Sequence, residues 1–175
     1  MRNVEVIPYE NHWCEKFQAE AQLLKTAVPE PVKIHHIGST SVPGLAAKPI
    51  IDMIMEVDDI HKMDEWEALL ARIGYEGRGE NGISGRRFFI KGSNEQRTHH
   101  LHVFEKGDPQ IARHLAFRDY MMEHCEEAKA YAALKKDLAE RFTYDIEQYM
   151  LGKAAFIKEI DQKAGKWIRE HKMEH

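Results

Sequence analysis

The stretch that decides the fold is HHIGSTSVPGLAAKPIID, which runs from His35 to Asp52. It joins two apolar segments, 32–37 and 49–57, whose β-branched residues and alternating polar positions are typical of strands. The connector is rich in Gly, Ser, Thr and Pro, which predicts a turn rather than core. Backbone N–H groups freed in such a turn form an anion cradle, and an acidic residue on the next strand is suited to a divalent cation. The residues assigned on this basis are Gly38, Ser39 and Thr40 for phosphate and Asp52 for metal.

The second of these strands has two different faces. Asp52 shares one face with Ile50, Ile54 and Glu56, and the other face is apolar from Ile51 onward. An unpaired carboxylate in an apolar run is costly, so Asp52 needs a specific reason to be there. A functional carboxylate facing the Gly-Ser loop is one explanation, and a buried structural salt bridge is the other.

Composition describes an ordinary globular protein. The 175 residues are 43% hydrophobic and 31% charged, which predicts a single domain over 1–175 with a substantial core. A net charge of −4 gives no sign of a broad nucleic-acid or membrane-binding surface. Cys14 and Cys125 match no metal or redox spacing and are expected to be buried free thiols. Without a signal peptide or an apolar run of ~20 residues, the chain is expected to be cytoplasmic. The oligomeric state is left open.

The order of predicted elements indicates an α+β fold. A helix over 12–27 precedes the two strands, and a helix over 59–73 follows them. Strands are predicted at 86–91 and 99–105, and helices follow Asp108-Pro109 with breaks near His124 and at 143–145. This pattern predicts a mixed sheet with helices packed against it, a strand-rich part at about 30–106 and a helical cap at about 109–173.

Two histidines share a face of the last predicted strand. His100 and His102 are spaced i, i+2, so both project from one side of it. With Asp52 they could form a zinc-type site, or they could contact phosphate or provide a general base. Solvated histidines on an edge strand are the plain structural alternative.

Basic residues interrupt two apolar helical stripes, at Arg118 and at Lys153. A cation in such a stripe is costly unless it meets an anion or extends to water. We therefore expect Lys48, Arg118 and Lys153, with Arg86 or Arg87 and Arg97 in support, to neutralise a polyanion such as a nucleotide triphosphate. The alternative is a structural network in which Arg118 pairs with Asp119 or Asp52.

The spacing of Gly38-Ser39 and Asp52 resembles the nucleotidyltransferase signature, a Gly-Ser pair followed by a strand with Asp-x-Asp or Asp-x-Glu. The resemblance implies that the loop holds nucleotide phosphates and that the carboxylates hold Mg²⁺ for in-line transfer. The sequence departs from the signature at Ile54, where the second carboxylate should stand. Glu56 has the right face but lies about 6.6 Å further along the strand.

The chain as a whole resembles the GrpB family, which is similar to an extra C-terminal domain of some bacterial dephospho-CoA kinases. The segments that carry the resemblance are HIGSTSVPGLAAKPIID, RRFFIKG, RTHHLHVFEKGD, LAFRDYM, YAALKKDLA and residues 149–156. The resemblance implies a nucleotidyltransferase-like fold in a bacterial protein. It also implies that the strand of His100 and His102 takes the place where active transferases have a third carboxylate.

These observations lead to one main hypothesis and two alternatives. The main one is binding of a nucleotide or phosphorylated metabolite, with Mg-assisted nucleotidyl or phosphoryl transfer in which His100 or His102 takes part. The first alternative is a catalytically silent binding or interaction module related to coenzyme A metabolism. The second is a metal-dependent hydrolase built from the histidines and Asp52.

Overall fold

The structure, a computed structural model, describes residues 4–93 and 95–172. Predictions that include 1–3, 94 or 173–175, such as the outer ends of the domain and of the helical cap, lie in part outside these residues. The helices are α1 (His12–Ala27), α2 (Lys62–Ala71), α3 (Pro109–Glu123), α4 (Cys125–Arg141) and α5 (Ile146–Lys172). The strands are β1 (Lys33–Ile37), β2 (Ile51–Val57), β3 (Tyr75–Gly77), β4 (Arg87–Gly92) and β5 (Arg97–Glu105).

The five strands form one mixed sheet in the order β1-β2-β5-β4-β3. β2 and β5 are parallel, and the other neighbouring pairs are antiparallel. The register sets Asp52 opposite His100 and Ile54 opposite His102. Since directly paired residues project from the same face, the sheet carries Asp52 and both histidines on one side. The mixed sheet and helical C-terminal part confirm the predicted α+β class.

The opposite face of the sheet packs against α1 and α2. Met53 and Met55 of β2 lie there with Trp13 of α1 and Trp66 of α2 in one buried cluster. Burial of side chains of this size contributes about 1.5–3 kcal/mol each, so this layer fixes the sheet as a rigid platform. The site face is therefore the one covered by the helical cap.

The cap is held together by a close helix contact. A Cβ on Gly152 of α5 would lie 2.5 Å from a methyl carbon of Leu138 on α4, which only glycine avoids. The two helices approach closely there, and this brings the neighbouring positions Lys135 and Lys153 toward one space. Asp108 caps α3 by accepting from the backbone N–H of Gln110, with Pro109 in the first turn, as predicted for this helix start.

Two further predictions from the sequence concern membrane spans and the two cysteines. Within the described residues, no helix combines the length and apolarity needed to cross a membrane. The prediction of buried thiols is wrong, because Cys14 and Cys125 are both free and exposed. Cys14 follows the buried Trp13 on α1 and faces water, since consecutive helix positions are about 100° apart.

Candidate functional site

A cavity of about 320 Å³ lies between the sheet and the cap. Its polar lining includes Ser39, Thr40, Lys48, Asp52, Arg86, Arg97, His100, His102, Lys135 and Lys153. Its apolar lining includes Phe88, Ile146, Tyr149 and Met150. The structure thus brings together seven of the sequence-predicted site residues, and Gly38 borders them from behind Asp52.

Asp52 stands at the centre of the sheet-side wall. Its Oδ1 lies 2.7 Å from Nε2 of His102, and a third of its side chain is exposed. Burial alone would raise the pKa of Asp52, but at the low pH where this carboxyl titrates, its interactions with His102, and to a smaller extent with His100 and His114, outweigh burial. The pKa of this carboxyl is held well below its usual range, so Asp52 is ionised at neutral pH.

The hydrogen bonds of His102 define its tautomer. Its Nδ1 lies 3.1 Å from Nη1 of Arg86, and a guanidinium can only donate, so Nδ1 is the acceptor. The proton is then on Nε2, which donates to Asp52. Both ring nitrogens are occupied, so His102 has no lone pair for a metal and none with which to take a proton from a ligand. In this arrangement His102 holds Asp52 in place, and the ligand or proton-transfer role expected from the sequence stays a prediction.

The remaining imidazoles around Asp52 are neutral at pH 7. Burial lowers the pKa of His36 and of His100 to about 4 each, against the attraction of Asp52. Burial and the charge of Arg113 lower the pKa of His114 to about 3. These rings therefore contribute hydrogen bonds and shape rather than positive charge.

The cavity's positive charge comes from lysine and arginine. The Nζ atoms of Lys48 and Lys153 lie 5.1 and 5.0 Å from the ring centre of Tyr149. Lys135 is 1% exposed, its Nζ donates to the Ala46 carbonyl at 2.6 Å, and no described carboxylate pairs with it. Burial, with the charges of Lys153 and Lys48, lowers the pKa of Lys135 to about 6.

Two residues of the predicted phosphate set are placed differently from the expectation. Thr40 is 3% exposed, and its hydroxyl bonds to His36 and to the Ile50 carbonyl, so it braces the loop. Arg118 is not in the cavity lining. Its Nε donates to Asp119 and its Nη1 donates to the His36 carbonyl, which corresponds to the structural alternative.

Sequence reasoning missed Lys135, Tyr149 and the second layer formed by His36 and His114. Lys135 follows Tyr131 by four positions and precedes Leu138 by three, so it falls within the apolar stripe of α4. The rule that selected Lys153 would have selected it as well. His36 carried no such signal, because its role depends on a stacking contact with Phe17 on a distant helix.

Gly38 sets the position of the loop against Asp52. Its φ of 69° and ψ of −169° lie in a region that is essentially restricted to glycine. A Cβ there would approach Cβ and Oδ2 of Asp52 to 3.2 Å. This close approach explains why the Gly-Ser turn and the strand carboxylate are adjacent.

The substitution Gly38→Ala is expected to lower the free energy of unfolding by about 1–3 kcal/mol through backbone strain, with an added contribution from contact with Asp52. Gly44→Ala is the matched control, because Gly44 also has positive φ (83°) but open space at its Cβ. Urea unfolding of both variants measures the difference. An equal loss in the two variants would mean that the contact with Asp52 contributes nothing.

The fold is similar to that of nucleotidyltransferases. The Cid1 poly (U) polymerase, in a structure with Mg 3'-dATP bound, superposes with a TM-score of 0.54 at 15% identity, over 78% of this chain and 44% of that one. At this identity the likeness shows the fold. The chain belongs to the GrpB family, whose GrpB protein model matches residues 3–163, and this confirms the family resemblance.

Relatives agree with this membership. The crystal structure of conserved protein GrpB from Enterococcus faecalis has a TM-score of 0.88 at 48% identity and covers 93% of this chain and 98% of that one. The UPF0157 protein YqkA of Bacillus subtilis is 49% identical over 95% of this chain, which spans only 48% of that protein. A dephospho-CoA kinase of Mycolicibacterium paratuberculosis is 23% identical over 94% of this chain and 46% of its own length.

Proposed function

We propose that the cavity binds a nucleotide or a related phosphorylated metabolite through its phosphate groups. One observation carries the proposal: five lysine and arginine side chains line the cavity together with Asp52, the single carboxylate among the described lining residues. Lysine and arginine bind phosphate as point charges and as planar forks, respectively.

The charge balance at neutral pH supports an anionic ligand. Burial lowers the pKa of Lys153 to about 8 against the attraction of Asp52, so this amine is still mainly protonated at pH 7. Arginine keeps its charge at any physiological pH. The surplus of positive charge in a partly enclosed space favours a ligand with more than one negative charge.

Magnesium is the cofactor that the fold class implies. Mg²⁺ in phosphoryl-transfer sites is held by carboxylates together with phosphate oxygens. Asp52 is the only lining carboxylate described, and within residues 4–93 and 95–172 no group of three His, Cys, Asp or Glu could hold a metal. The side chains present do not fit a protein-held magnesium site or a histidine-based metal site, and we derive no transfer or hydrolysis step through one.

A binding module without catalysis is therefore the form of the proposal that the residues favour. Ile54 occupies the position of the second carboxylate and is fully buried. His102 has both ring nitrogens hydrogen-bonded. The likeness to a dephospho-CoA kinase suggests coenzyme A precursors as ligands to include in any screen.

Thermal shift measurements with nucleotides, coenzyme A precursors, inorganic phosphate and tripolyphosphate test the proposal. A ligand at a hundredfold excess over its dissociation constant stabilises the native state by about 2.7 kcal/mol. We expect at least one polyanion of the panel to raise Tm by several degrees, and a panel without any shift would refute the proposal.

Lys153→Gln is expected to weaken binding of that polyanion about tenfold, because a charge-assisted contact contributes about 1.5–3 kcal/mol. Lys158→Gln is the control, since Lys158 lies on the same helix and is exposed. Isothermal titration of both variants measures the effect. Equal affinities would mean that the cavity face of α5 does not contact the ligand.

A further inference from the structure

One oxygen of the cavity carboxylate is already engaged. Oδ1 of Asp52 accepts from His102, and a Cβ at Gly38 would lie 3.2 Å from Oδ2. His102 in turn accepts from Arg86, so its lone pair is occupied. A divalent cation at Asp52 would find one carboxylate, no free lone pair on His102 and a guanidinium nearby.

The two positions of β2 that could supply further metal ligands on this face, Ile54 and Glu56, make other contacts. Ile54 packs with Ile37, Phe104 and Ile111 in a buried cluster beneath the cavity. Glu56, the next acidic residue on the same face of β2, pairs with His35 and does not line the cavity. The strand therefore places hydrocarbon and an ion pair where a metal site would need oxygen atoms.

Positive groups occupy the opposite wall of the same space. The Nζ atoms of Lys48 and Lys153 lie 5.1 and 5.0 Å from the ring centre of Tyr149. These ammonium groups repel a metal ion and attract phosphate oxygens directly. A phosphate ligand thus meets fixed positive charges of the protein, which can replace the charge of a metal ion.

Two buried polar atoms in the lining lack partners in the described part of the chain, and both can donate. They are the hydroxyl of Tyr149 and Nε of Arg97. Tyr149 is 0% exposed, and a buried donor without an acceptor is costly. Acceptor oxygens of an anion would satisfy such donors, whereas a metal ion would not.

We infer that this cavity binds its phosphate ligand without a divalent cation, with the ammonium groups of Lys48 and Lys153 in place of the metals used by related transferases. The inference rests on the proposed function, since it describes how the same site takes its anion. It follows that Asp52 repels the ligand rather than anchoring it through a metal. Neutralising Asp52 should then strengthen binding.

Titration with inorganic tripolyphosphate tests the inference, first in EDTA and then in excess Mg²⁺. We expect binding in EDTA, and binding several-fold weaker in Mg²⁺ because the metal competes with the lysines for the anion. Binding that appears only with Mg²⁺ would overturn the inference and leave the proposed function intact. Absence of binding by any phosphate compound under both conditions would overturn both.

Asp52→Asn provides an independent readout, with Asp58→Asn as control, since Asp58 is exposed just beyond the same strand. We expect Asp52→Asn to bind tripolyphosphate at least threefold more tightly in EDTA and Asp58→Asn to bind like the wild type. Loss of binding in a folded Asp52→Asn protein would contradict the inference. If that variant does not fold, the comparison of EDTA with Mg²⁺ on the wild-type protein decides alone.

Discussion

Replacing Lys135 by Met is expected to stabilise the ligand-free protein at neutral pH and to weaken phosphate binding at least tenfold at pH 6 and below, where the amine is protonated. Lys135 is buried and has one hydrogen-bond acceptor, the Ala46 carbonyl, with no described carboxylate beside it. A lysine whose pKa falls far below its ordinary value in the fold lowers stability at neutral pH, and an apolar side chain of similar volume removes that cost. The lost hydrogen bond to Ala46 offsets part of this gain, at about 1–3 kcal/mol.

The pH dependence of stability distinguishes this explanation from better packing alone. The pKa of Lys135 is about 6 in the folded protein and has its ordinary value of 10.5 in the unfolded chain. Between these two values the unfolded state binds more protons, so the stability of the wild type rises with pH, by at most about 1.4 kcal/mol per unit for this group. Below pH 6 the penalty is complete and the slope from this group vanishes.

The groups that face Lys135 must be considered in the same experiment. Lys48, Lys153 and Tyr149 surround it from the loop and α5, Tyr131 lies on its own helix, and Asp52 lies across the cavity. The pKa of Lys153 is also lowered, chiefly by burial, so Lys153 contributes a slope of the same sign that persists in the variant. The difference between wild type and variant isolates Lys135.

Urea unfolding at several pH values between 6 and 9 measures this difference, with Lys136→Met as the control at an exposed neighbouring position. We expect a flatter pH profile and a higher free energy of unfolding for Lys135→Met alone. A Lys135→Met protein that is less stable than wild type at neutral pH, with an unchanged pH slope, would mean that Lys135 is charged and compensated in the native state. Phosphate titration of the same samples tests the binding half of the prediction.

Local signals predicted the elements of this fold well. The stripe of Trp13, Phe17, Ala21 and Leu24 predicted a helix over 12–27, and α1 has these bounds. The breaks near His124 and at 143–145 separate α3, α4 and α5 as expected. The strand predicted from Pro49 begins only at Ile51, because proline has no N–H to donate to a ladder. Short-range patterns are sufficient for such features.

Strand order and side-chain direction required the tertiary structure. The parallel pairing of β2 with β5 joins segments about 50 residues apart, and it alone brings Asp52 beside His102. The apolar stripe of a helix shows only that a basic residue lies on the buried face, not in which direction its side chain points. The stripes therefore predicted a cavity position for Lys153 and for Arg118 alike. Lys153 points into the cavity, while Arg118 reaches Asp119 and a backbone carbonyl. The hydrogen bond between His102 and Arg86 is likewise a contact that no sequence pattern encodes.

Replacing Arg86 by Met is expected to lower the free energy of unfolding by about 1–3 kcal/mol, because Nδ1 of His102 is left without its donor. Arg86 is 6% exposed, and its guanidinium donates to the carbonyls of Glu80 and Asn81 and to Nδ1 of His102. Asn81 has a positive φ of 51°, so the loop that Arg86 holds is strained without it.

Arg87→Met is the matched control, since Arg87 is the next residue on the chain and pairs with the exposed Asp64. Exposed ion pairs contribute about 0–1 kcal/mol, so the control should lose little stability. Equal losses in the two variants would contradict a special role for Arg86.

The NMR spectrum of the His102 ring provides a second measurement. An arginine that only stabilised the fold, without contacting His102, would leave this spectrum unchanged. In the wild type, long-range ¹H–¹⁵N spectra should show the His102 proton on Nε2 alone, because Nδ1 accepts from Arg86. In Arg86→Met the Nδ1 atom loses its donor while Nε2 still donates to the Asp52 carboxylate, so we expect the ¹⁵N shift of Nδ1 to change and the proton to stay on Nε2. An unchanged Nδ1 shift would contradict the contact between Arg86 and His102. Because Arg86 also lines the cavity, tripolyphosphate should bind Arg86→Met more weakly, as expected for the loss of one cation.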